Sequence, residues 1–254
     1  MSLKLKKIKS FSGRKGPLLL IIMDGVGVGR EYEGNAVYLA RTPNIDRLMS
    51  SELYCQIRAH GTAVGLPSDK DMGNSEVGHN ALGAGRVFEQ GARLVNRAIE
   101  SGRIFESEAW SHVVRRAEVG GTVHFIGLLS DGNVHSHIEQ LYSLIDRCAE
   151  LGFKRVRVHA LLDGRDVGEK SALEYVVPTE EKLRKISKEK GFEYCIASGG
   201  GRMKVTMDRY NADWNIVKRG WDAHVLGKAR AFPSAGNAVR TLYDEDPEIT
   251  DQYL

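Results

Sequence analysis

Long apolar runs are scarce in this chain of 254 residues. The longest, LLLIIM at 18–23, falls far short of the ~18 residues that a membrane span needs. Cysteine is scarce too: Cys55, Cys148 and Cys195 lie far apart and show no CxxC spacing. That pattern excludes a disulfide framework and a cysteine zinc site. Cys55 and Cys195 each sit in an apolar stretch and are expected as small core residues, which suits a reducing cytoplasm. The first 16 positions lack the apolar stretch and small-residue cleavage site of a signal peptide. No fixed-period repeat and no low-complexity segment interrupts the chain. The net charge of +3 also has little behind it, because Lys4, Lys6, Lys7, Lys9, Arg14 and Lys15 crowd the N-terminus. Without them the remainder is slightly acidic, so the basic balance is no nucleic-acid footprint.

What is present is an ordinary globular composition, 42% hydrophobic and 27% charged, in a chain long enough to bury a sizeable core. Four apolar runs lead into polar turns: GPLLLIIMDG (16–25), TVHFIGLLSDG (122–132), RVRVHALLDGRD (155–166) and EYCIASGGGR (193–202). Each is expected as a buried strand. Between and around them the spacing predicts helices at 89–101, 107–118, 137–150, 171–190 and 209–219. Ile138, Leu141, Leu144, Ile145 and Cys148, for example, recur at helical spacing. Strand, polar turn, helix, strand is the grammar of a parallel α/β sheet covered on both faces. Ligands in such sheets gather at the carboxyl ends of the strands. The small-residue stretch GHNALGAGR (78–86) is the best candidate hinge, and the final DEDPEITDQYL reads more like an interior loop than an end.

Residues able to carry chemistry cluster at those strand ends. Asp24 follows the first apolar run and either caps a turn or offers a carboxylate to a hard cation. The GVGVG that follows is not a dinucleotide fingerprint, since Arg30 stands where the last glycine is needed. Ser75, within MGNSEVGH (72–79), is either a plain N-cap or a serine presented at a helix start, where free N–H groups favour an anion. It is not the elbow serine of esterases, because Asn74 precedes it directly. Arg165, Asp166, Arg202 and Arg209 lie after apolar runs or just inside the next helix. Several arginines at one sheet edge suggest a small, doubly anionic substrate. His135 and His137 offer proton donors or phosphate contacts; a metal pair lacks a clear third ligand.

Taken together, MDGVG, TPNIDRL, GLPSDKDMGNSEVGHNALGAGR, GLLSDGNVHSH, LLDGRDV and SGGGRMKVTMDRY resemble the N-terminal half of cofactor-independent phosphoglycerate mutases, of the alkaline-phosphatase superfamily. The motifs occur in the family's order from about residue 17 to near the end. The resemblance implies a partial alkaline-phosphatase-like domain followed by an α/β phosphotransferase domain with a mainly parallel sheet. Residues 1–16 would be a basic, flexible N-terminus, 17–88 the first part of the metal domain, and 89–254 an incomplete phosphotransferase domain.

The same resemblance implies that Ser75 becomes phosphorylated and binds metal, that Asp24 is a metal ligand, and that His135, Arg165, Asp166, Arg202 and Arg209 hold substrate. It implies two divalent ions, manganese foremost with magnesium or cobalt as alternatives, and no 2,3-bisphosphoglycerate. The partners would be 2- and 3-phosphoglycerate, with no nucleic acid and no membrane, for a cytoplasmic monomer. Asn133 departs from the pattern by replacing a common glycine, and the spacing from Arg202 to Arg209 is similar to the plant and trypanosomatid branch. The family runs to roughly twice this length, and its later part supplies the remaining aspartate and histidine ligands, another arginine pair and a lysine. Two readings of other kinds compete: a phosphoglycerate-binding fragment without catalysis, and another phosphatase or phosphomutase of the superfamily, such as a phosphopentomutase.

Overall fold

The structure is a computed structural model that describes residues 8–89, 91–206 and 213–254. It divides into two compact units, Met1–Ile57 and Arg58–Leu254. In the first, α1 (Ala36–Leu39) starts at Asn35, whose side chain accepts hydrogen bonds from the Val37 and Tyr38 N–H groups. Helix α2 (Pro43–Met49) has proline at its first position, where the missing N–H has no intrahelical partner to lose. The strand expected at 16–25 is not formed: residues 16–23 are irregular and exposed. An apolar run becomes a strand only when a neighbour takes its backbone N–H and C=O groups. Among the described residues of this unit there is no other strand to do so.

The second unit carries the sheet. It opens with a 3-10 turn, Gly61–Val64, and α3 (Ser75–Ala84). Then come α4 (Gly91–Glu100), α5 (Glu108–Glu118), β1 (Val123–Leu128), α6 (Ile138–Glu150), β2 (Arg155–Leu162), α7 (Ala172–Lys190) and β3 (Glu193–Gly201). Short α8 (Arg202–Val205), α9 (Trp214–His224) and α10 (Ala235–Glu245) follow. The strands lie in the order β1-β2-β3, all parallel. Much of the expected hinge at 78–86 is helical, with Gly78 and Gly83 inside α3 and Gly85 ending it in the left-handed region.

One core lies between the sheet and α5, α6 and α7, where Trp110, Ile145, Cys148, Val156, Leu183 and Tyr194 pack together. A second joins the carboxyl end of the sheet to α7 and α10 through Leu129, Leu162, Val176 and Val239. Helix α7 buries Ala172, Val176, Thr179, Leu183 and Ile186, the three-and-four spacing of one helical face. Coverage of the sheet is less complete than the sequence suggests. His124, Ile126, Cys195 and Ala197 are exposed, because alternation along outer strands sends every second residue away from the core. Cys195 and Cys55 are therefore surface residues, and Cys148 is the buried one. Burial pushes its thiol up to about 12.

A register shift between β2 and β3 has a chemical consequence. Val158 pairs with Ile196, but His159 pairs with Ser198, leaving Ala197 as the extra residue of a β-bulge. The bulge turns Ser198 toward His159.

Candidate functional site

Ser75 owes its position to a folded approach loop. Asp69 accepts hydrogen bonds from the Thr62 N–H and hydroxyl, and the Gly61 N–H donates to the Asp71 carbonyl. Val64, Leu66 and Val77 form a small buried cluster beneath α3. Gly73 adopts φ +74, and a Cβ there would meet Leu66 at 2.9 Å, so the turn into the helix requires glycine. The capping role falls to Asn74, whose side chain accepts from the Val77 N–H at 3.0 Å. Ser75 is the first helical residue rather than the cap. Its exposed hydroxyl stands at the N-terminal end of α3, where the helix dipole favours negative charge.

His79 Nδ1 lies 2.7 Å from the Ser75 carbonyl oxygen and 3.1 Å from Ser75 Oγ. A carbonyl oxygen only accepts, so Nδ1 carries the proton and donates it to that nearer oxygen, leaving Nδ1 no lone pair for Oγ. In this arrangement His79 Nδ1 is not the base that removes the serine proton.

At the carboxyl ends of the strands, Asp163 gathers a second constellation. This buried carboxylate accepts from the Ser130 hydroxyl at 2.6 Å, the Arg165 and Asp166 N–H groups, and Arg202 Nη1 at 2.9 Å. Burial pushes its pKa up, but the bonds from Ser130, the Asp166 N–H and Arg202 outweigh that and hold it below the ordinary carboxylate range. Arg202 also bonds Asp166 at 2.9 Å, and His135 Nε2 stands 3.9 Å from that same carboxylate. Arg165 is exposed. The loop after β1 presses onto this turn so tightly that a Cβ on Gly132 would meet Asp166 Cβ at 2.9 Å.

The strand-end rule thus brings His135, Asp166 and Arg202 together, beside the backbone of Arg165. Arg202 is almost fully enclosed and its Nη1 is committed to two carboxylates. Arg209 lies outside the described residues. His137 caps α6, accepting from the Glu139 N–H through Nδ1. Asn133 keeps the left-handed turn in place of glycine, with φ 58.

Asp24 sits on a tight turn closed by a Val26 N–H to Met23 carbonyl bond, in the unit Met1–Ile57. Ser75 belongs to the other unit. Among the described residues no three His, Cys, Asp or Glu side chains are grouped to hold a metal ion. The donors described here therefore do not fit a two-metal centre by themselves. A cavity of about 850 Å³ opens elsewhere, between β3, α7, α9 and α10, and Ser75, His135, Asp166 and Arg202 are not among its lining.

Three groups escaped the sequence reading. Ser130 and Asp163 are the first polar residues after their apolar runs, but only the fold shows that they meet as a hub. The third is a chain across the sheet: His124 Nδ1 to His159 Nε2 at 2.9 Å, His159 Nδ1 to Ser198 Oγ at 2.6 Å, and Ser198 Oγ to His224 Nδ1 at 2.7 Å. Burial, then the neighbouring His124 and His224, lower the pKa of His159. Burial alone lowers that of His224.

Residues 95–254 match the family described as BPG-independent PGAM N-terminus (iPGM_N). The chain belongs to this family. Across its full length it is 53% identical to the 2,3-bisphosphoglycerate-independent phosphoglycerate mutase of Trypanosoma brucei brucei, covering 46% of that protein. A Ricinus communis protein of the same name is 50% identical over 93% of the chain and 43% of its own length. Among solved structures, Leishmania mexicana phosphoglycerate mutase at low cobalt concentration superposes with a TM-score of 0.84 and 53% identity. That match covers 91% of this chain and 42% of the other. The iPGM_N chain thus spans under half the length of these relatives, and both plants and trypanosomatids supply them.

Proposed function

We propose that this chain contributes the phosphoryl-accepting serine and part of the substrate site of a 2,3-bisphosphoglycerate-independent phosphoglycerate mutase, interconverting 3- and 2-phosphoglycerate. The observation that carries this reading is Ser75 at the start of α3, its exposed hydroxyl at the positive end of the helix dipole. A phosphoryl group on Oγ would bring negative charge to the N-terminal end of α3, whose dipole lowers its energy without a partner's movement. In the full reaction Oγ gives up its proton and bonds to the substrate phosphorus as the substrate's phosphoester bond breaks, and the departing glycerate oxygen takes up a proton. The released glycerate turns, and its other hydroxyl takes the phosphoryl group back.

Arg165 would hold the substrate's anionic groups, and Arg209 is proposed for the same task. Arg202, pinned by Asp163 and Asp166, would serve mainly to fix the position of Asp166 beside His135. Holding a reactant in one orientation removes much of the entropy from the barrier. Two divalent ions, manganese foremost with magnesium or cobalt as alternatives, belong to the same proposal for the longer protein. Asp24 and Ser75 are the ligands this chain would offer them. The partners are then small phosphoglycerates, not nucleic acid or membrane, for a cytoplasmic monomer.

For the 254-residue chain by itself we infer phosphoglycerate binding without turnover, because its described donors group into no metal centre. Two measurements test these readings. In the longer protein, Ser75→Ala should abolish both turnover and phosphoserine; normal activity would sink the assignment. The purified chain, given manganese and 3-phosphoglycerate, should bind the ester and form no 2-phosphoglycerate; product formation contradicts the fragment reading.

A further inference from the structure

Among the described residues, Asn133 is the non-glycine that adopts a positive φ, at 58°. Asparagine tolerates this region better than most residues, yet glycine occupies it freely. An unfavourable backbone angle kept by a residue with a functional side chain is a reason to ask what that side chain does. Here the Nδ2 group donates to Asp71 Oδ1, across 62 positions of sequence. Asp71 is itself fixed: its other oxygen accepts from the Ser68 N–H at 2.7 Å and the Ser68 hydroxyl at 2.8 Å. Its carbonyl takes the Gly61 N–H. Burial pushes the Asp71 pKa up, but the bonds from Asn133 and Ser68, with a smaller contribution from His137, keep it below its ordinary value. The bond therefore joins an ionised carboxylate four residues before Ser75 to the loop that carries His135 and His137. A charge-assisted bond of this kind is roughly twice as strong as a neutral one.

We propose that Asn133 is a positioning residue that, through Asp71, fixes the loop entering Ser75 against the loop that carries His135. The proposal rests on the reading of Ser75 as phosphoryl acceptor. It does not require Asn133 to touch substrate. A serine loop released from this tie would still fold, since the Thr62–Asp69 contacts and the Val64, Leu66 and Val77 cluster remain. It would sample positions in which the hydroxyl is misaligned, and small misplacements of a reacting group lower turnover more than affinity.

Asn133→Gly is the cleanest perturbation, because it relaxes the backbone while deleting the tie. Asn133→Asp keeps the shape and sets a second carboxylate against Asp71. In the full-length protein with manganese, both variants should lower kcat for 3-phosphoglycerate by about tenfold or more. KM should stay within about twofold. Amide hydrogen exchange in 66–74 should quicken in both. Asp71→Ala should reproduce the effect, and adding Asn133→Gly to it should cost little more. Unchanged exchange in 66–74 would show that the tie holds nothing, and quicker exchange with unchanged kcat would overturn the positioning role. Absence of both turnover and phosphoserine in the unsubstituted protein would instead refute the reading of Ser75 and the catalytic part of this proposal. The exchange measurement still decides whether Asn133 holds the loop.

Discussion

Replacing Arg202 by methionine tests the strand-end constellation most directly. Arg202 is 1% exposed, and its Nη1 lies 2.9 Å from both the Asp163 and the Asp166 carboxylates. Methionine preserves much of the volume but strands two carboxylates in a site built around a cation. Removing one partner of a buried ion pair costs about 3–5 kcal/mol. Asp163 keeps three other donors, from Ser130 and the 165–166 backbone, so the lower end of that range applies. For a domain of this size about 3 kcal/mol corresponds to a fall in Tm of roughly 6–12 °C. Urea unfolding should show a lower midpoint with an unchanged slope.

The pH dependence supplies the sharper control. Asp163 has a depressed pKa in the fold, so its ionisation adds stability that is present above the unfolded carboxylate value, about 3.9. That contribution is lost as pH falls through the folded value. Without Arg202 the stranded carboxylates are relieved by protonation instead. The gap between wild type and Arg202→Met should therefore narrow on moving from pH 7 toward pH 4. A loss below about 1 kcal/mol, or a gap that ignores pH, would falsify the claim that charge compensation holds this turn.

Two further outcomes follow from the core and the histidine chain. Leu183→Ala empties a buried position among Ile145, Cys148 and Val156, and should cost about 2–5 kcal/mol in urea unfolding; a smaller loss would mean that α7 packs more loosely than described. His159 and His224 have depressed pKa values, so the unfolded chain takes up protons first as pH falls below about 6.5. Stability should decline from pH 7.5 to 5.5, and equal stability at both would count against a neutral chain.

Much of the fold is legible in the residues themselves. The helical spacing of Ile138, Ile145 and Cys148 marks the buried face of α6, and three of the four apolar runs are strands. The run at 16–25 shows the limit. LLLIIM states that burial is wanted but not what covers it, and a strand is a property of a pair. The site divides the same way. Looking at the ends of apolar runs finds Asp166 and Arg202, because chain direction fixes where those ends point. It does not find Asp163 as a hub, nor Asn133 reaching Asp71, since those contacts join residues 39 and 62 positions apart. Cys195 is at the surface despite its apolar neighbours for a related reason: they do not show which way an outer strand turns it. The bulge at Ala197 is equally silent, and without it His159 would face an alanine.

That bulge leaves a sequence of four groups, His124, His159, Ser198 and His224, each able to give or take a proton. With all three rings neutral, four mobile protons serve three bonds, and one proton is left over for an end nitrogen. The chain can thus run in either direction, every donor becoming an acceptor when Ser198 rotates its hydroxyl. One added proton fills the other end and breaks nothing. A second also leaves the three links intact, because Ser198 Oγ has two lone pairs and accepts from His159 Nδ1 and His224 Nδ1 together while its own hydrogen turns aside; only a third, on His159 Nε2, meets the His124 donor and severs that link. The sheet therefore keeps its three links through two protonations and loses one only at the third, a threshold set by the number of lone pairs along the chain.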